Sequence, residues 1–162
     1  MNRRPPDGLT HAAAPFDADS GWSAIADDGF LGLVGPMWIR EGSDGHPQFA
    51  LECQAKHRNL GGVVQGGVLM TLADRALGSA ALGLADTTNM ATVQLDVHFV
   101  APARIGDLVT VTPQLIRRTR DLMFMRADLV AADHVVATAT GVFKPLHERT
   151  AADARRRADL AG

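Results

Sequence analysis

The stretch NLGGVVQGGVLMTLADRALGSAALGL, residues 59–84, decides how this chain folds. Glycines and a glutamine lead into a run whose apolar residues recur at i, i+3 and i+4 spacing, the period of a helix with one broad apolar face. The run predicts a single long helix that ends at Gly83 or extends towards Asp86. The predicted apolar face consists of Val64, Val68, Leu69, Leu72, Ala73, Ala76, Ala80 and Leu84.

Asp74 and Arg75 are the two charged residues inside this predicted helix. Because they are adjacent, they point in different directions and cannot form the usual i, i+4 ion pair. An unpaired buried charge is costly, so such a carboxylate is normally paired with a group from elsewhere or functional. From the helix alone both interpretations of Asp74 stay open: a surface residue facing solvent or a strand arginine, or a functional acid. The central charges and the glycines argue against a membrane span, although the length would suffice.

The composition predicts one domain with a real core in 162 residues. With 16 basic and 18 acidic residues and a net charge of −2, neither a nucleic acid nor a membrane is expected as a partner. Cys53 is the single cysteine, so an internal disulfide is excluded; it is interpreted as a small strand hydrophobe in a reducing cytoplasm. No His or Cys cluster indicates a metal site, and no cofactor is expected.

Three segments are predicted. Residues 1–20 are rich in Pro, Gly, Ala and Asp and lack the apolar region of a secretory signal, which predicts a flexible N-terminal segment. Residues 21–146 form the folded domain. The tail, 147–162, is rich in Ala and Arg and predicts a short exposed helix with a solvated face.

Strand signals lie on both sides of the helix. Before it, we expect a helical turn at 22–26 capped by Ser20 and anchored by Trp22, a strand at 30–39 interrupted by Pro36, a turn at 41–47 and a strand at 48–55. After it, we expect an antiparallel meander of strands at 91–100, 105–116, 122–130 and 135–144, with Pro113 as an irregularity. In the first of these, Val93, Leu95, Val97 and Phe99 alternate with Thr92, Gln94, Asp96 and His98. Together these signals predict an α+β fold in which one helix covers a sheet of about six strands, while the apolar far face of the sheet favours an oligomer.

The order of elements and the residues of 59–84 resemble the hotdog fold, and more narrowly the thioesterase superfamily that includes phenylacetyl-CoA and 4-hydroxybenzoyl-CoA thioesterases. That family has an Asn, then His-Gly-Gly at the head of a central helix wrapped by a curved sheet, then Leu-x-Asp two turns later. Here the pattern reads Asn59, Gln65-Gly66-Gly67 and Leu72-Ala73-Asp74. The next family strand, with Ser or Thr near its start and Pro at its end, matches 92–102, and the resemblance covers about 45–145. Gln65 departs from the commoner His, and a Gln cannot titrate near neutral pH.

The resemblance implies hydrolysis of an acyl-CoA thioester. The Gly66 N–H at the helix start would stabilise the oxyanion, because glycine admits the carbonyl and the helix dipole supports the charge. Asp74 would act as nucleophile or as general base on water, and the sequence leaves both open. Asn59 would fix the thioester or the water, and Thr92 would hold the water or Asp74.

Binding residues are also implied by the resemblance. Gly67 and His57 would contact the substrate, although His57 could equally be an exposed loop histidine. Arg117 and Arg118, with Arg120 nearby, would meet the phosphates of CoA or simply be a solvated turn. His98 is interpreted as a satisfied polar residue at a sheet or subunit contact.

The predicted partner is a second copy of the chain. Gly66 and Asp74 are eight residues apart, ~12 Å along a helix, so one helix cannot present both to one thioester. Two antiparallel helices can, which predicts a homodimer with shared active sites, arranged as a dimer of dimers. Two other functions stay open: a non-catalytic acyl-CoA binding module, and a hotdog hydratase or dehydratase, which would need a His beside Asp74. The acyl group, aryl or medium-chain aliphatic, is not determined.

Overall fold

The computed structural model describes residue 16 and residues 19–85 and 87–146. Most of the predicted N-terminal segment, 1–20, and the whole of the predicted tail helix, 147–162, lie outside the described residues.

Within these described residues, one long helix packs against an antiparallel sheet of eight strands. Along the sheet the strands run in the order β1-β2-β3-β5-β7-β8-β4, and β6 pairs with β7 beside this path. The architecture is the one that the hotdog resemblance predicts, with eight strands instead of about six. The elements are β1 (Ser23–Ala24), α1 (Phe30–Val34), β2 (Met37–Glu41), β3 (Pro47–Glu52), a 3-10 turn (Ala55–His57), α2 (Gly66–Leu84), β4 (Asn89–Phe99), β5 (Leu108–Val111), β6 (Gln114–Arg118), β7 (Met123–Ala131) and β8 (His134–Leu146).

The core lies between α2 and the strands, as the apolar spacing predicts. The predicted face is wrong at its end, because Leu84 is 47% exposed, and it omits Leu77 and Ala81, which are buried. Burying one large apolar side chain contributes about 1.5–3 kcal/mol, so this contact accounts for much of the stability. α2 is long and apolar enough to cross a membrane by length and composition alone, but here its apolar face covers the sheet. The buried helix residues are Leu69, Leu72, Ala73, Ala76, Leu77, Ala80 and Ala81, and they face Phe49, Leu51, Val109, Val111, Met123, Met125, Leu129 and Phe143.

The region before β2 differs from the prediction in two places. Residues 22–26 form no helical turn: β1 pairs with Trp38 and Ile39, although Trp22 is an anchor, stacked 4.6 Å from the Phe16 ring. The predicted strand at 30–39 is instead α1 followed by β2, which begins only after Pro36. An unbroken apolar run cannot distinguish strand from helix, and here Leu31 and Val34, three residues apart, pack against the core as one helical face.

The strands after α2 form the predicted meander only in part. The expected strand at 105–116 is two strands, because Pro113 lacks the N–H that a continuous ladder requires. β4 does not pair with β5: it pairs with β8 at the edge of the sheet, and β5 lies between β3 and β7. Spacing along the chain favours neighbouring strands, but β4 and β8 are the two longest, and pairing them satisfies the most backbone groups.

The far face of the sheet is less apolar than expected. A depression of about 650 Å³ on this face is lined mostly by polar side chains, including Gln48, Thr112, Gln114, Arg126 and Asp128. Apolar residues remain nearer β4, where Ile116, Phe124 and Val142 line a smaller depression of about 120 Å³.

Candidate active site

Asp74 lies in the middle of α2 and has a hydrogen-bond partner on β4. Thr92 Oγ1 donates to Asp74 Oδ1 at 2.8 Å, a hydrogen bond to a charged acceptor, which is stronger than a neutral one. Asp74 is half-buried and Thr92 is exposed, so solvent reaches the bond. Asp74 forms no ion pair with any described residue, Arg75 included. The carboxylate is therefore paired, but with a hydroxyl and not with an arginine.

A β-bulge in β4 turns Thr92 towards the helix. The β4–β8 register shifts between Thr92 and Gln94, so Val93 is an extra residue. Because a strand alternates sides with every residue, one extra residue moves Thr92 to the side of Leu95 and Val97, which pack against the core. The predicted alternation, with Thr92 opposite Leu95, is wrong for this reason.

Two cavities flank Asp74. One of about 410 Å³ is mostly apolar and is lined by Phe30, Leu31, Met70, Thr71, Asp74, Arg75 and Leu95. The other, about 230 Å³, is lined by Asp74, Arg75, Gly78, Ser79, Leu82, Asn89, Met90, Thr92 and Phe143. The Arg75 Nε is buried and has no hydrogen-bond partner in the described part of the chain. Asp74 therefore lines two cavities, and no histidine of the described residues lines either of them.

The start of α2 offers a free backbone donor. Gln65 is the residue before the helix; its N–H donates to the His57 carbonyl at 2.8 Å, and its exposed side chain does not cap the helix. Gly66 is the first helical residue, and its N–H has no partner among the described residues. Gly67 faces open space.

Gly66 also has a packing role that the sequence did not show. A Cβ at this position would lie 3.0 Å from Cζ of Phe99, at the end of β4. The absence of a side chain therefore lets the Phe99 ring lie over the start of the helix. The Gly66 N–H and the aromatic ring consequently share one small region.

His57 is buried, and the interpretation as an exposed loop histidine is wrong. The side chain is 3% exposed; Nδ1 accepts from the Gln54 N–H at 3.0 Å, and Nε2 lies 2.6 Å from the Val34 carbonyl. Burial lowers the His57 pKa, the Val34 hydrogen bond opposes this, and the Lys56 charge lowers it further. Both ring nitrogens are occupied, so a contact with CoA, which stays a prediction, would involve other atoms.

Asn59 closes the loop that leads into α2. Its N–H donates to the Val63 carbonyl at 2.8 Å, and its Oδ1 accepts from the Val63 N–H at 3.3 Å. Asn59 and Gln65 line a groove of about 690 Å³ together with Lys56, His57, Arg58, Leu60, Gly61 and Val68. The loop role is thus visible, and the role towards a thioester stays a prediction.

The predicted site residues fall into two groups within one chain. Asp74 and Thr92 are together at mid-helix, whereas Asn59 and Gln65 line a different groove beside the helix start. Gly66 belongs to the second group, ~12 Å along the axis from Asp74. Within one chain, the predicted site residues therefore lie in two separate places.

The arginines lie at the other end of α2. Arg118 Nη1 donates to the Leu84 carbonyl at 2.8 Å, at the helix C-terminus, where a cation is favourable. Arg117 and Arg120 are exposed. The role of Arg117 and Arg118 in holding CoA phosphates stays a prediction.

Cys53 and His98 have simple accounts, and no metal site is found in the described part of the chain. Cys53 is buried, and burial, with the charges of Asp107 and Glu52, raises its thiol pKa to about 12, so it packs as a hydrophobe. His98 is exposed, and its predicted subunit contact is untested. Among the described residues, no group of His, Cys, Asp and Glu could hold a metal ion.

Sequence reasoning missed the residues that form the apolar wall beside Asp74. The predicted strand at 30–39 contains Phe30 and Leu31 and does not link them to the helix, and the predicted alternation places Leu95 only on an apolar face. Only Met70 carried a signal, since it precedes Asp74 by four residues and so lies on the same side of α2.

Known proteins share both the sequence pattern and the fold. The sequence pattern of the thioesterase superfamily matches residues 61–138. A Pseudomonas aeruginosa protein, named provisionally as an esterase, is 37% identical over 114 residues, covering 70% of this chain and 85% of its own length. A Ralstonia eutropha structure, described provisionally as a thioesterase related to phenylacetic acid degradation, has a TM-score of 0.65 and 25% identity and covers 74% of this chain and 92% of its own.

A third similar protein was solved with CoA bound. This Bacillus halodurans structure has a TM-score of 0.63 and 25% identity, covering 68% of this chain and 74% of its own. The matched sequence pattern, the sequence identity to the Pseudomonas aeruginosa protein and the similarity of fold all indicate the same family. This chain belongs to the thioesterase superfamily and has the hotdog fold.

Proposed function

We propose that this protein is an acyl-CoA thioesterase that hydrolyses an aryl- or medium-chain acyl-CoA to the free acid and CoA. The observation that carries the proposal is the Asp74 carboxylate, held at 2.8 Å by Thr92 and open to a largely apolar cavity. A carboxylate beside an apolar space suits attack on an acyl carbonyl, because the acyl chain can occupy the apolar space while its carbonyl lies at the carboxylate.

The residues have complementary tasks in hydrolysis. As general base, Asp74 takes a proton from water while the water oxygen bonds to the thioester carbon; as nucleophile, its own oxygen forms that bond and water later cleaves the anhydride. In both routes the carbonyl oxygen becomes negative and the Gly66 N–H stabilises it. The C–S bond then breaks, and the CoA sulfur takes a proton. Thr92 keeps the carboxylate aimed, and Asn59 and Gln65 position the thioester.

The proposed site is shared between two copies of the chain. Gly66 and Asp74 of one chain are too far apart for one thioester, so the Gly66 N–H of one copy would face Asp74 of the other. β4 supports this arrangement, because it is the last strand of the sheet and its outer edge is unpaired among the described residues. Val93 and Phe99 on this strand are 58% and 53% exposed. A second copy would cover both, and further pairing would give the dimer of dimers.

The substrate class rests on cavity chemistry and on similarity. The cavity of about 410 Å³ has the size of a small-molecule site and is mostly apolar. The Bacillus halodurans protein binds CoA, which supports a CoA ester here. Gly67, Arg117 and Arg118 are proposed contacts for the CoA portion. Within the described part of the chain no histidine lines either cavity at Asp74, which argues against a hydratase or dehydratase.

A panel of acyl-CoA esters, assayed for released thiol, tests the proposal. We expect turnover of aryl or medium-chain esters by the wild type and loss of turnover in Asp74→Asn. Tight binding of the same esters without thiol release would contradict it and would identify a binding module instead.

A further inference from the structure

α1 is a short helix that cannot be stable by itself. It has five residues, well below the length at which isolated helices persist, and none of its residues is fully buried. Phe30 and Leu33 are 65% and 69% exposed. Something else in the molecule must therefore hold α1 in place and account for its apolar surface.

Part of that apolar surface faces the carboxylate. Phe30 and Leu31 line the cavity of about 410 Å³ that contains Asp74, opposite Met70 of α2. Leu33 belongs to the same helix and is as exposed as Phe30, but it does not line the cavity. Of these two exposed side chains of α1, only Phe30 therefore lines the cavity that contains Asp74.

The 3-10 turn fixes the C-terminal end of α1. Nε2 of His57 lies 2.6 Å from the Val34 carbonyl, and Nζ of Lys56 donates to the Gly35 carbonyl. Since His57 Nδ1 accepts from the Gln54 N–H, the proton of the neutral ring is on Nε2, which donates to Val34. These two bonds satisfy carbonyls that would otherwise be orphans at a helix end.

The same histidine also fixes the start of α2. Its carbonyl accepts the Gln65 N–H at 2.8 Å, one residue before Gly66. A single buried residue thus joins the wall of the Asp74 cavity to the end of the helix that carries the proposed oxyanion donor.

We infer that Phe30 and Leu31 of α1 are specificity residues that determine which acyl groups reach Asp74, and that His57 is the positioning residue that holds α1 against the cavity. The inference rests on the proposed function and deepens it. It predicts a neutral, apolar acyl group on this side of Asp74, since Phe30 and Leu31 offer no hydrogen bond to a polar one.

Phe30→Ala, with Leu33→Ala as its matched control, tests the wall. We expect Phe30→Ala to raise kcat/KM for decanoyl-CoA relative to butanoyl-CoA by roughly tenfold or more, since even one methylene in a pocket changes discrimination by about 10–200-fold. Leu33→Ala should change the same ratio by less than about threefold. Phe30→Trp fills the cavity and should shift the ratio the other way. Equal ratios in Phe30→Ala and Leu33→Ala would overturn the assignment.

Two variants of His57 test the positioning role. Asn places an acceptor near Nδ1 and keeps the Gln54 bond but cannot reach Val34, whereas Gln places a donor near Nε2 and keeps the Val34 bond. We expect His57→Asn to change the acyl profile and to accelerate amide hydrogen exchange in 30–34, and His57→Gln to keep both near the wild type. A uniform loss of turnover over all esters in both variants, without faster exchange in His57→Asn, would show a merely structural role.

The two proposals fail in distinguishable ways. A folded wild type with no turnover of any ester contradicts the proposed function. A wild type that turns over esters, with an acyl profile that neither Phe30→Ala nor Phe30→Trp changes, contradicts only the inference about α1.

Discussion

The bond between Thr92 and Asp74 allows a quantitative test of which residue carries the chemistry. Thr92→Val removes the hydroxyl while keeping the shape of the side chain. A hydrogen bond to a charged group contributes about 1.5–3 kcal/mol, and about 1.4 kcal/mol is tenfold in rate. Because Thr92 is exposed and water can replace its hydroxyl, the lower end applies. We therefore expect kcat/KM to fall about tenfold.

Asp74→Asn should lower kcat/KM more than Thr92→Val does. The amide oxygen can still accept the Thr92 hydrogen bond, so the fold is retained, but the charge and the basicity are lost. Loss of general-base action lowers the rate by roughly 10²–10⁴-fold. When Asp74→Asn is already present, adding Thr92→Val should lower kcat/KM by less than about threefold, because Thr92 acts only through the carboxylate.

Thiol release with the best ester of the panel measures all four members of this cycle. Thr92→Ser keeps a hydroxyl and should recover most of the activity lost in Thr92→Val. Thermal unfolding should show that each variant is folded. Either of two results would contradict these roles. One is an Asp74→Asn variant that retains more than about a tenth of wild-type turnover. The other is a Thr92→Val change that lowers kcat/KM by the same factor in the wild type and in Asp74→Asn.

Three further outcomes are expected. Gln65→Ala should lower turnover much less than Asp74→Asn, since the Gln65 side chain is exposed and does not cap the helix. Equal losses of turnover in the two variants would mean that the Gln65 side chain acts directly. Gly66→Pro, which removes the donor N–H, should be inactive alone but recover up to about a quarter of wild-type activity when co-expressed with Asp74→Asn. Gly66→Ala is the control, because it keeps the N–H and adds the Cβ that would lie close to the Phe99 ring. An inactive purified heterodimer of Gly66→Pro and Asp74→Asn would disprove the shared site. Because burial lowers the His57 pKa, the unfolded chain binds more protons below about pH 6.5, so the melting temperature should fall as the pH decreases from there. This pH dependence should be weaker in His57→Gln, and an unchanged slope in that variant would contradict the assignment.

The sequence by itself determined the central helix and the spacing of its chemical groups. Helical periodicity is a local property, because residues three and four apart share a face whatever lies opposite. Most of the predicted apolar face of α2 is therefore buried, whereas Leu84 at the end of the helix is 47% exposed. The separation of Gly66 and Asp74 along the axis is likewise fixed by helix geometry, and the shared-site proposal starts from this distance.

Only the tertiary structure decided which groups meet. Thr92 reaches Asp74 because pairing between β4 and β8 creates a bulge at Val93, and a bulge depends on two strands that are far apart in sequence. The apolar run 30–34 is a helix because Leu31 and Val34 pack against the core, and the sequence of the run alone does not predict this contact. His57 is also buried because of a long-range contact: its ring contacts Val34 and Gln54. Its position two residues before Asn59 in the sequence does not reveal the contact with Val34. Contacts of this kind depend on long-range packing, so the wall beside Asp74 became visible only in the folded chain.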